Sequence, residues 1–252
     1  MTNRRPIPNT RSAAFRALPA PKLFHVLREL PCPYISGRRE RKIITDLSGS
    51  DAETVHGNLS RAGFRRSHMF AYRPGCNGCN ACIPVRVDAA AHAPSKSQRR
   101  VNRRNADLHV AIRPPIATWE QFATFARYLE SRHCDGEMAS MDWDDYRQMV
   151  EETAVSTRIA EFRDTSAQLI AVCLFDMLDD GTSAVYTFFE PSEADRSPGT
   201  YTVLWLIAET RRLSRPYVYL GYLVKESRKM AYKSRFKPLE QLTSRGWIQL
   251  TT

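Results

Sequence analysis

The order of the predicted elements between residues 97 and 236 constrains the fold of this chain more than any other feature. Apolar periodicity predicts three consecutive strands, and short turns that contain Asp, at residues 164–167 and 179–181, join them. Turns this short connect antiparallel neighbours, so the three strands form a meander. A helix and a further strand then add a crossover, which implies a mixed sheet. The predicted strands are residues 156–163, 168–178, 182–189 and 217–223, and the predicted helices are residues 97–107, 119–132, 143–152, 200–213 and 226–236.

This succession is the plan of the GNAT-like N-acyltransferases. We therefore predict an α+β fold in which residues 96–252 form a GNAT-like acyltransferase domain, with a mixed, largely antiparallel sheet and flanking helices. Residues 1–95 are predicted to form a small N-terminal domain that contains cysteines, carries a basic tail and ends in a linker rich in Ala, Pro and Ser. Within this domain, apolar spacing predicts helices over residues 22–30 and 51–62, and residues 64–87 are predicted to be extended.

The charge of the chain favours a polyanionic partner. A net charge of +10 and a pI near 9.5 attract RNA, DNA or an anionic membrane. The longest apolar run, within residues 169–178, is interrupted by Asp176 and is too short to span a bilayer. Two stripes of basic residues at helical spacing suit the recognition of a phosphate backbone, although a charged run is also typical of a solvated face. The first stripe is Arg99, Arg100, Arg103 and Arg104, and the second is Lys225, Lys229 and Lys233.

Three cysteines in a CxxCxxC pattern, Cys76, Cys79 and Cys82, indicate a metal site together with Cys32 upstream. Four thiolates are suitable ligands for zinc or for an iron-sulfur cluster. The arrangement of three cysteines on one side and one on the other differs from the paired ligands of most structural zinc sites, so metal-free thiols are the alternative. Both interpretations favour a reducing compartment, which we take to be the cytoplasm.

The segment from residue 188 to residue 201 ends a strand and opens a helix, whose N-terminus offers unpaired N–H groups to an anion. In GNAT enzymes this loop binds the pyrophosphate of acetyl-CoA and has Gly or Ala at the position held here by Tyr201. A bulky side chain at that position argues against a CoA site. We predict that Gly199, Thr200 and Tyr201 contact another substrate, and a plain helix cap near Pro198 is the alternative.

Five long strings of the sequence resemble the arginyl-tRNA-protein transferase family, and within it the bacterial aspartate/glutamate leucyltransferases. The resemblance extends from about residue 32 to residue 247, and the strings occur in the order of the family. The strings are CPYISGRRERKIITDL from residue 32, GFRRSHMFAYRPGCNGCNACIPVRV from residue 63, SAVYTFFEP from residue 183, RSPGTY from residue 196 and YVYLGYLVKESRKMAYKSRFKPLE from residue 217.

The resemblance implies a reaction and its partners. A leucyl group passes from leucyl-tRNA to the α-amine of a protein that begins with Asp or Glu, which marks that protein for degradation. The implied partners are leucyl-tRNA and such proteins, with no membrane and no DNA. Arginyl-tRNA as the donor is the nearest alternative, and a CoA-dependent N-acetyltransferase is a more distant one. A metal-containing RNA-binding module without catalysis is a third, and the complete order of strands and helices argues against it.

Little catalytic apparatus is needed for such a transfer. The aminoacyl ester is already activated, and an α-amine with a pKa of about 7.7–8.0 is partly neutral in the cytoplasm, so no cofactor is required for the chemistry. We predict that Arg65 and Arg66 bind the acidic side chain of the acceptor, because guanidinium pairs well with carboxylate, and that Tyr72 also contacts the substrate. Two solvated arginines are the alternative. The predicted catalytic residues, near the ends of central strands, are Tyr186, Glu190 and Tyr222.

Overall fold

Residues 22–133 and 137–251 are described by a computed structural model. Within these ranges the strands are β1 (His25–Val26), β2 (Leu30–Pro31), β3 (Arg39–Glu40), β4 (Lys42–Asp46), β5 (Arg65–Ser67), β6 (Phe70–Pro74), β7 (Ile83–Asp88), β8 (His109–Arg113), β9 (Thr157–Arg163), β10 (Leu169–Leu178), β11 (Gly181–Phe189), β12 (Tyr217–Leu223), β13 (Leu239–Thr243) and β14 (Gly246–Gln249). The α-helices are α1 (Ala52–Arg61), α2 (Lys96–Arg104), α3 (Trp119–His133), α4 (Trp143–Glu151), α5 (Pro198–Arg212) and α6 (Arg228–Ala231), and short 3₁₀ helices are Glu137–Ser140, Pro191–Arg196 and Tyr232–Arg235. The predicted basic tail falls largely on residues 1–21, outside the described ranges.

The large sheet has eight strands in the order β14-β13-β7-β12-β11-β10-β9-β8. Every neighbouring pair is antiparallel except β11 and β12, which run parallel. Strands β9, β10 and β11 form the predicted meander, and α5 provides the crossover to β12. The prediction of a mixed, largely antiparallel sheet with flanking helices is therefore confirmed.

Helices cover both faces of this sheet because side chains alternate along each strand. On one face, α2 and α5 pack over a core that includes Phe162, Phe175 and Leu206. On the other, α3 and α4 pack over a core that includes Phe125 and Phe188. Each large side chain that is fully buried contributes about 1.5–3 kcal/mol of hydrophobic stabilisation.

A smaller four-stranded sheet, in the order β1-β4-β6-β5, is built from the N-terminal residues, and β2 pairs with β3. Strand β7, which lies inside the predicted N-terminal domain, is nevertheless the third strand of the large sheet. The two parts of the chain thus share a hydrogen-bonded sheet. The domain boundary at residue 95 stays a prediction.

Two helix predictions differ from the structure. Residues 22–30 form β1 and part of β2 instead of a helix, because His25 and Val26 pair with Ile44 and Ile43 of β4. The last helix is short, since α6 ends at Ala231 and a 3₁₀ turn follows. Strands β3, β4, β8, β13 and β14 lie outside the predicted elements. None of the described helices is both long enough and apolar enough to cross a membrane.

Candidate functional site

The parallel strands β11 and β12 separate near the middle of the large sheet. Their pairing begins at Gly181 with Tyr217 and ends at Ser183 with Tyr219, although both strands continue beyond that point. Separation leaves backbone groups of β11 without their neighbouring strand, and buried backbone groups must find other partners. The result is a narrow gap between the two strands, which we call the cleft.

Arg65 enters this cleft from the edge strand β5. Its Nη2 donates to the carbonyl oxygens of Ala184 and Val185, at 2.7 Å and 3.2 Å, just beyond the last paired residue of β11. Its Nη1 is buried and has no hydrogen-bond partner within the described part of the chain. An unpaired buried donor on a charged group is costly, so a fixed guanidinium with a spare donor indicates a binding position for an anion or a carbonyl oxygen.

Tyrosines surround the Arg65 guanidinium. The Tyr222 hydroxyl shares its proton between the carbonyl oxygens of Gly63 and Tyr72, at 3.0 Å and 3.2 Å. The rings of Tyr72 and Tyr222 lie 6.4 Å apart, and Tyr72 is paired with Arg65 across β5 and β6. Burial, together with the neighbouring Tyr72, raises the pKa of Tyr34 and of Tyr222, so both hydroxyls stay protonated at neutral pH.

Lys233 is buried beside the same cleft. Its Nζ donates to the carbonyl oxygen of Tyr222 at 2.7 Å and lies 3.4 Å from the sulfur of Met230. Burial and the positive charge of Arg65 lower the pKa of Lys233 to about 7. The prediction that Lys233 belongs to an exposed basic stripe is therefore wrong. Among the described residues no carboxylate forms an ion pair with it, so the lysine is partly neutral at physiological pH.

Arg66 points in the opposite direction, into the interior, because neighbouring residues of a strand face opposite sides. Its Nε and Nη2 each donate to a carboxylate oxygen of Asp176 on β10 at 2.8 Å, and its Nη1 donates to the carbonyl of His68 at 3.0 Å. The Thr157 hydroxyl donates to the same carboxylate at 2.7 Å. All three guanidinium nitrogens are thus occupied. This corrects the prediction that Arg66 binds substrate, since the residue instead joins the two sheets.

The predicted catalytic residues lie in different environments. The Tyr222 hydroxyl is hydrogen-bonded to the backbone carbonyl oxygens of Gly63 and Tyr72. Glu190 is 8% exposed and accepts hydrogen bonds from Nε and Nη2 of Arg127 at 2.9 Å and 2.7 Å. The ring of Tyr186 packs against Phe125 and Phe188, and burial raises the pKa of its hydroxyl. Glu190 has a structural partner already, and catalytic roles for these three residues stay predictions.

The N-terminus of α5 is a compact turn. Ser197 adopts a left-handed conformation with φ 56°, and its carbonyl accepts hydrogen bonds from the N–H groups of Thr200 and Tyr201 at 3.0 Å and 3.1 Å. The Tyr201 ring packs edge-on against Phe162 at 5.8 Å, and burial raises its pKa. A Cβ atom at Gly199 would contact the ring of Phe189. Two of the three amides predicted to meet a substrate are thus already paired, which matches the alternative of a plain helix cap.

The structure brings α2 next to Arg235, which lies two residues after the second basic stripe. Gln98 of α2 donates through Nε2 to the carbonyl of Arg235 at 3.1 Å. Arg99 and Arg104 each donate to a backbone carbonyl, of Pro94 and of Asp195, while their side chains stay exposed. Lys229 is exposed on α6. The exposed basic residues on α2 and beside it are Arg99, Arg100, Arg103, Arg104 and Arg235. We call this set the α2 surface.

The four N-terminal cysteines are partly buried, and Cys32, Cys76 and Cys79 lie close enough to Cys82 to influence its charge. Burial and the neighbouring thiols raise the pKa of Cys82 to about 12, whereas hydrogen bonds from the Ala81 backbone and from Arg38 lower that of Cys79. N–H donors to sulfur stabilise thiolates, as metal-bound cysteines require. Even so, the described ranges contain no group of three His, Cys, Asp or Glu side chains placed to hold a metal ion. Thiols of this kind are suitable ligands for zinc or for an iron-sulfur cluster.

Gly221 and Lys233 have roles in this region that the sequence patterns did not predict. Gly221 interrupts the apolar pattern of β12, and an isolated glycine in a strand is typical of a bulge or of close backbone approach. The burial of Lys233 has no comparable signal in the sequence.

Models of one protein family match the chain in two parts: the N-terminal model of the arginine-tRNA-protein transferases covers residues 30–100, and the C-terminal model covers residues 120–243. Proteins named aspartate/glutamate leucyltransferase are similar over most of their length. That of Paramagnetospirillum magneticum is 53% identical over 91% of this chain and 94% of its own. Those of Gluconacetobacter diazotrophicus and Rhodospirillum rubrum are each 51% identical, over 91% and 90% of this chain and 88% and 93% of theirs.

Proposed function

The chain belongs to the arginine-tRNA-protein transferase family, and we propose that it transfers a leucyl group from leucyl-tRNA to the N-terminal α-amine of proteins that begin with Asp or Glu. The observation that carries this proposal is 53% identity, over 91% of the chain, to a protein named aspartate/glutamate leucyltransferase. The cleft between β11 and β12 is our candidate for the place of reaction. Because the donor is an aminoacyl-tRNA, we assign the activity to the cytoplasm.

A GNAT-like assignment of the large sheet is part of the proposal. It is supported by the antiparallel meander β9 to β11, the crossover through α5 and the parallel strand β12 that separates from β11 after three residue pairs. The Tyr201 side chain, packed on Phe162, occupies the position at which a CoA loop has a small residue. An acyl donor other than CoA is consistent with that packing.

We assign the tRNA backbone to the α2 surface. The four arginines of α2 are exposed, α2 has no acidic residue in its first turn, and Gln98 connects it to Arg235, two residues after the buried Lys233. Phosphate contacts of this kind fix orientation without reading sequence. The choice of leucine over arginine would then depend on the side chain of the donor inside the cleft.

The acceptor's acidic side chain is assigned to Nη1 of Arg65. Nη1 is the buried donor without a partner, and Nη2 holds the guanidinium in place on the carbonyls of Ala184 and Val185. A carboxylate satisfies this donor, whereas the side chain of Asn or Gln can offer only an uncharged oxygen. Selection of Asp and Glu over their amides follows from the difference.

The chemistry requires one proton transfer before the acyl transfer. Lys233, lowered to a pKa of about 7, is our candidate to take a proton from the acceptor's α-ammonium. The neutral amine then attacks the ester carbonyl carbon, a C–N bond forms, and the bond to the tRNA 3′ oxygen breaks. The second amine proton ends on that oxygen. Positioning supplies most of the acceleration, because the ester is already activated.

For Cys32, Cys76, Cys79 and Cys82 we retain the proposal of a zinc ion or an iron-sulfur cluster, with no step of the transfer assigned to it. Their donor chemistry and the mutual influence of the four thiols support the proposal.

Donor choice tests the proposal. The chain is incubated with an Asp-initiated peptide and, in separate reactions, with labelled leucyl-tRNA, labelled arginyl-tRNA or labelled acetyl-CoA. Label is expected on the peptide from leucyl-tRNA alone. Transfer from arginyl-tRNA at an equal rate would change the assigned donor, and transfer from acetyl-CoA would remove the aminoacyl-tRNA assignment altogether.

A further inference from the structure

Gly221 of β12 lies against the side chain of Arg65, and its lack of a Cβ atom leaves room for the guanidinium. Gly221 has φ 76°, and a Cβ atom built on it would lie 2.6 Å from both Cδ and Cζ of Arg65. Non-bonded carbon atoms approach only to about 3.5–4.0 Å. Any other residue at position 221 must therefore displace Arg65 or the strand.

The displacement would act on a guanidinium that is held in one position. Nη2 bridges the carbonyls of Ala184 and Val185 on the far side of the cleft, where the parallel ladder has ended. Arg65 thus replaces the backbone donors that β12 no longer supplies. If the Arg65 side chain is pushed away from Gly221, the two hydrogen bonds that Nη2 donates lengthen, and Nη1 moves from its position beside Gly221.

The strand itself is shaped around this contact. The register of β12 with β7 shifts between Tyr219 and Gly221, which marks a bulge. Bulges re-aim side chains and commonly lie beside functional sites. The positive φ of Gly221 and the bulge together bring the bare backbone of β12 against Arg65.

We propose that Gly221 is a positioning residue for acceptor selectivity, because it holds open the space from which Arg65 Nη1 meets the acidic side chain of the acceptor. The inference rests on the proposed leucyl transfer to Asp- and Glu-initiated proteins. The requirement for an acidic first residue in the acceptor then depends on the small size of residue 221, which carries no charge and makes no polar contact with substrate.

The test compares Gly221→Ala with Gly246→Ala. Gly246 also has a positive φ, 95°, but nothing lies within 4 Å of an added Cβ atom, so its variant reports backbone strain alone. For each variant, kcat/KM is measured with two peptides that differ only in an N-terminal Asp or Asn, at fixed leucyl-tRNA. Gly221→Ala is expected to lower the Asp-over-Asn ratio about tenfold or more, the scale of one charge-assisted hydrogen bond, with tRNA affinity unchanged. Gly246→Ala is expected to keep the parental ratio.

A second pair, Gly221→Asn and Gly246→Asn, covers the case in which the Gly221→Ala chain does not fold, because Asn tolerates a positive φ better than Ala. Retention of the parental ratio in a folded Gly221 variant would overturn the inference and leave the proposed transfer intact. A parental chain that moves no leucyl group to the Asp peptide would overturn the proposed function, and this inference with it.

Discussion

Replacing Arg66 with Ala should destabilise the fold and should not specifically change acceptor choice. Asp176 is fully buried and Arg66 nearly so, and two hydrogen bonds of 2.8 Å join them. Without the guanidinium, the Asp176 carboxylate keeps the Thr157 hydroxyl at 2.7 Å and the His56 ring nitrogen at 3.6 Å. Removal of one partner from a buried ion pair costs about 3–5 kcal/mol. A typical domain has a free energy of unfolding of about 5–15 kcal/mol, so the loss is a large part of the total.

Urea unfolding measures this loss. Arg66→Ala should lower the free energy of unfolding by about 3–5 kcal/mol. The double variant Arg66→Met with Asp176→Leu should recover most of it, because no unpaired charge stays buried. Arg65→Ala is the matched neighbour, and it should be more stable than Arg66→Ala yet lose the preference for Asp over Asn peptides. A stable Arg66→Ala chain that loses this preference would refute the reasoning, since it would place Arg66 in the acceptor site.

Three other predictions concern the surface, the buried lysine and the cysteines. Changing the four arginines of α2 to Gln should weaken tRNA binding and flatten the dependence of log affinity on log salt by about 0.7–0.9 for each phosphate that the variant no longer neutralises, and an unchanged slope would mean that this face is only solvated. Between its folded pKa of about 7 and its ordinary value of 10.5, Lys233 is protonated in the unfolded chain and neutral in the folded one, so the free energy of unfolding should rise with pH in this window. Lys233→Met lacks the titrating group, so the free energy of unfolding of this variant should rise less with pH than that of the parental chain. Equal slopes in the two proteins would contradict the burial of Lys233. Anaerobically purified protein should contain zinc or iron bound through Cys32, Cys76, Cys79 and Cys82, measured by metal analysis and visible spectroscopy, and metal-free protein of full activity would leave them as thiols.

Local signals in the sequence were sufficient to predict the meander of β9, β10 and β11 and the crossover through α5. Turns with Asp at residues 164 and 180 separate runs of strand-forming residues, so residues close together in the chain decide where each strand ends. The segment 22–30 has helical spacing of its apolar residues but no helix, because pairing with β4 supplies its hydrogen bonds. Spacing alone cannot detect a partner strand that lies distant in sequence.

The candidate site also depends on partners that are distant in the sequence. Arg65 and Arg66 are adjacent in a strand, so the alternation of side chains already excludes a shared ligand. Which of them faces the cleft depends on Asp176, a residue 110 positions away. Lys229 and Lys233 would share a face of an α-helix, but α6 ends at Ala231 and a 3₁₀ turn has three residues per turn, so Lys233 rotates into the interior.

The most direct test of the central claim is the position of the leucyl group in the product. Fragmentation mass spectrometry of an Asp-initiated peptide, after reaction with leucyl-tRNA, should locate one leucyl residue in amide linkage to the N-terminal α-amine. The same peptide with its N-terminus acetylated, or with Asn in place of Asp, should carry little or none. Leucine attached to a lysine side chain, or no leucine on the Asp peptide, would contradict the account.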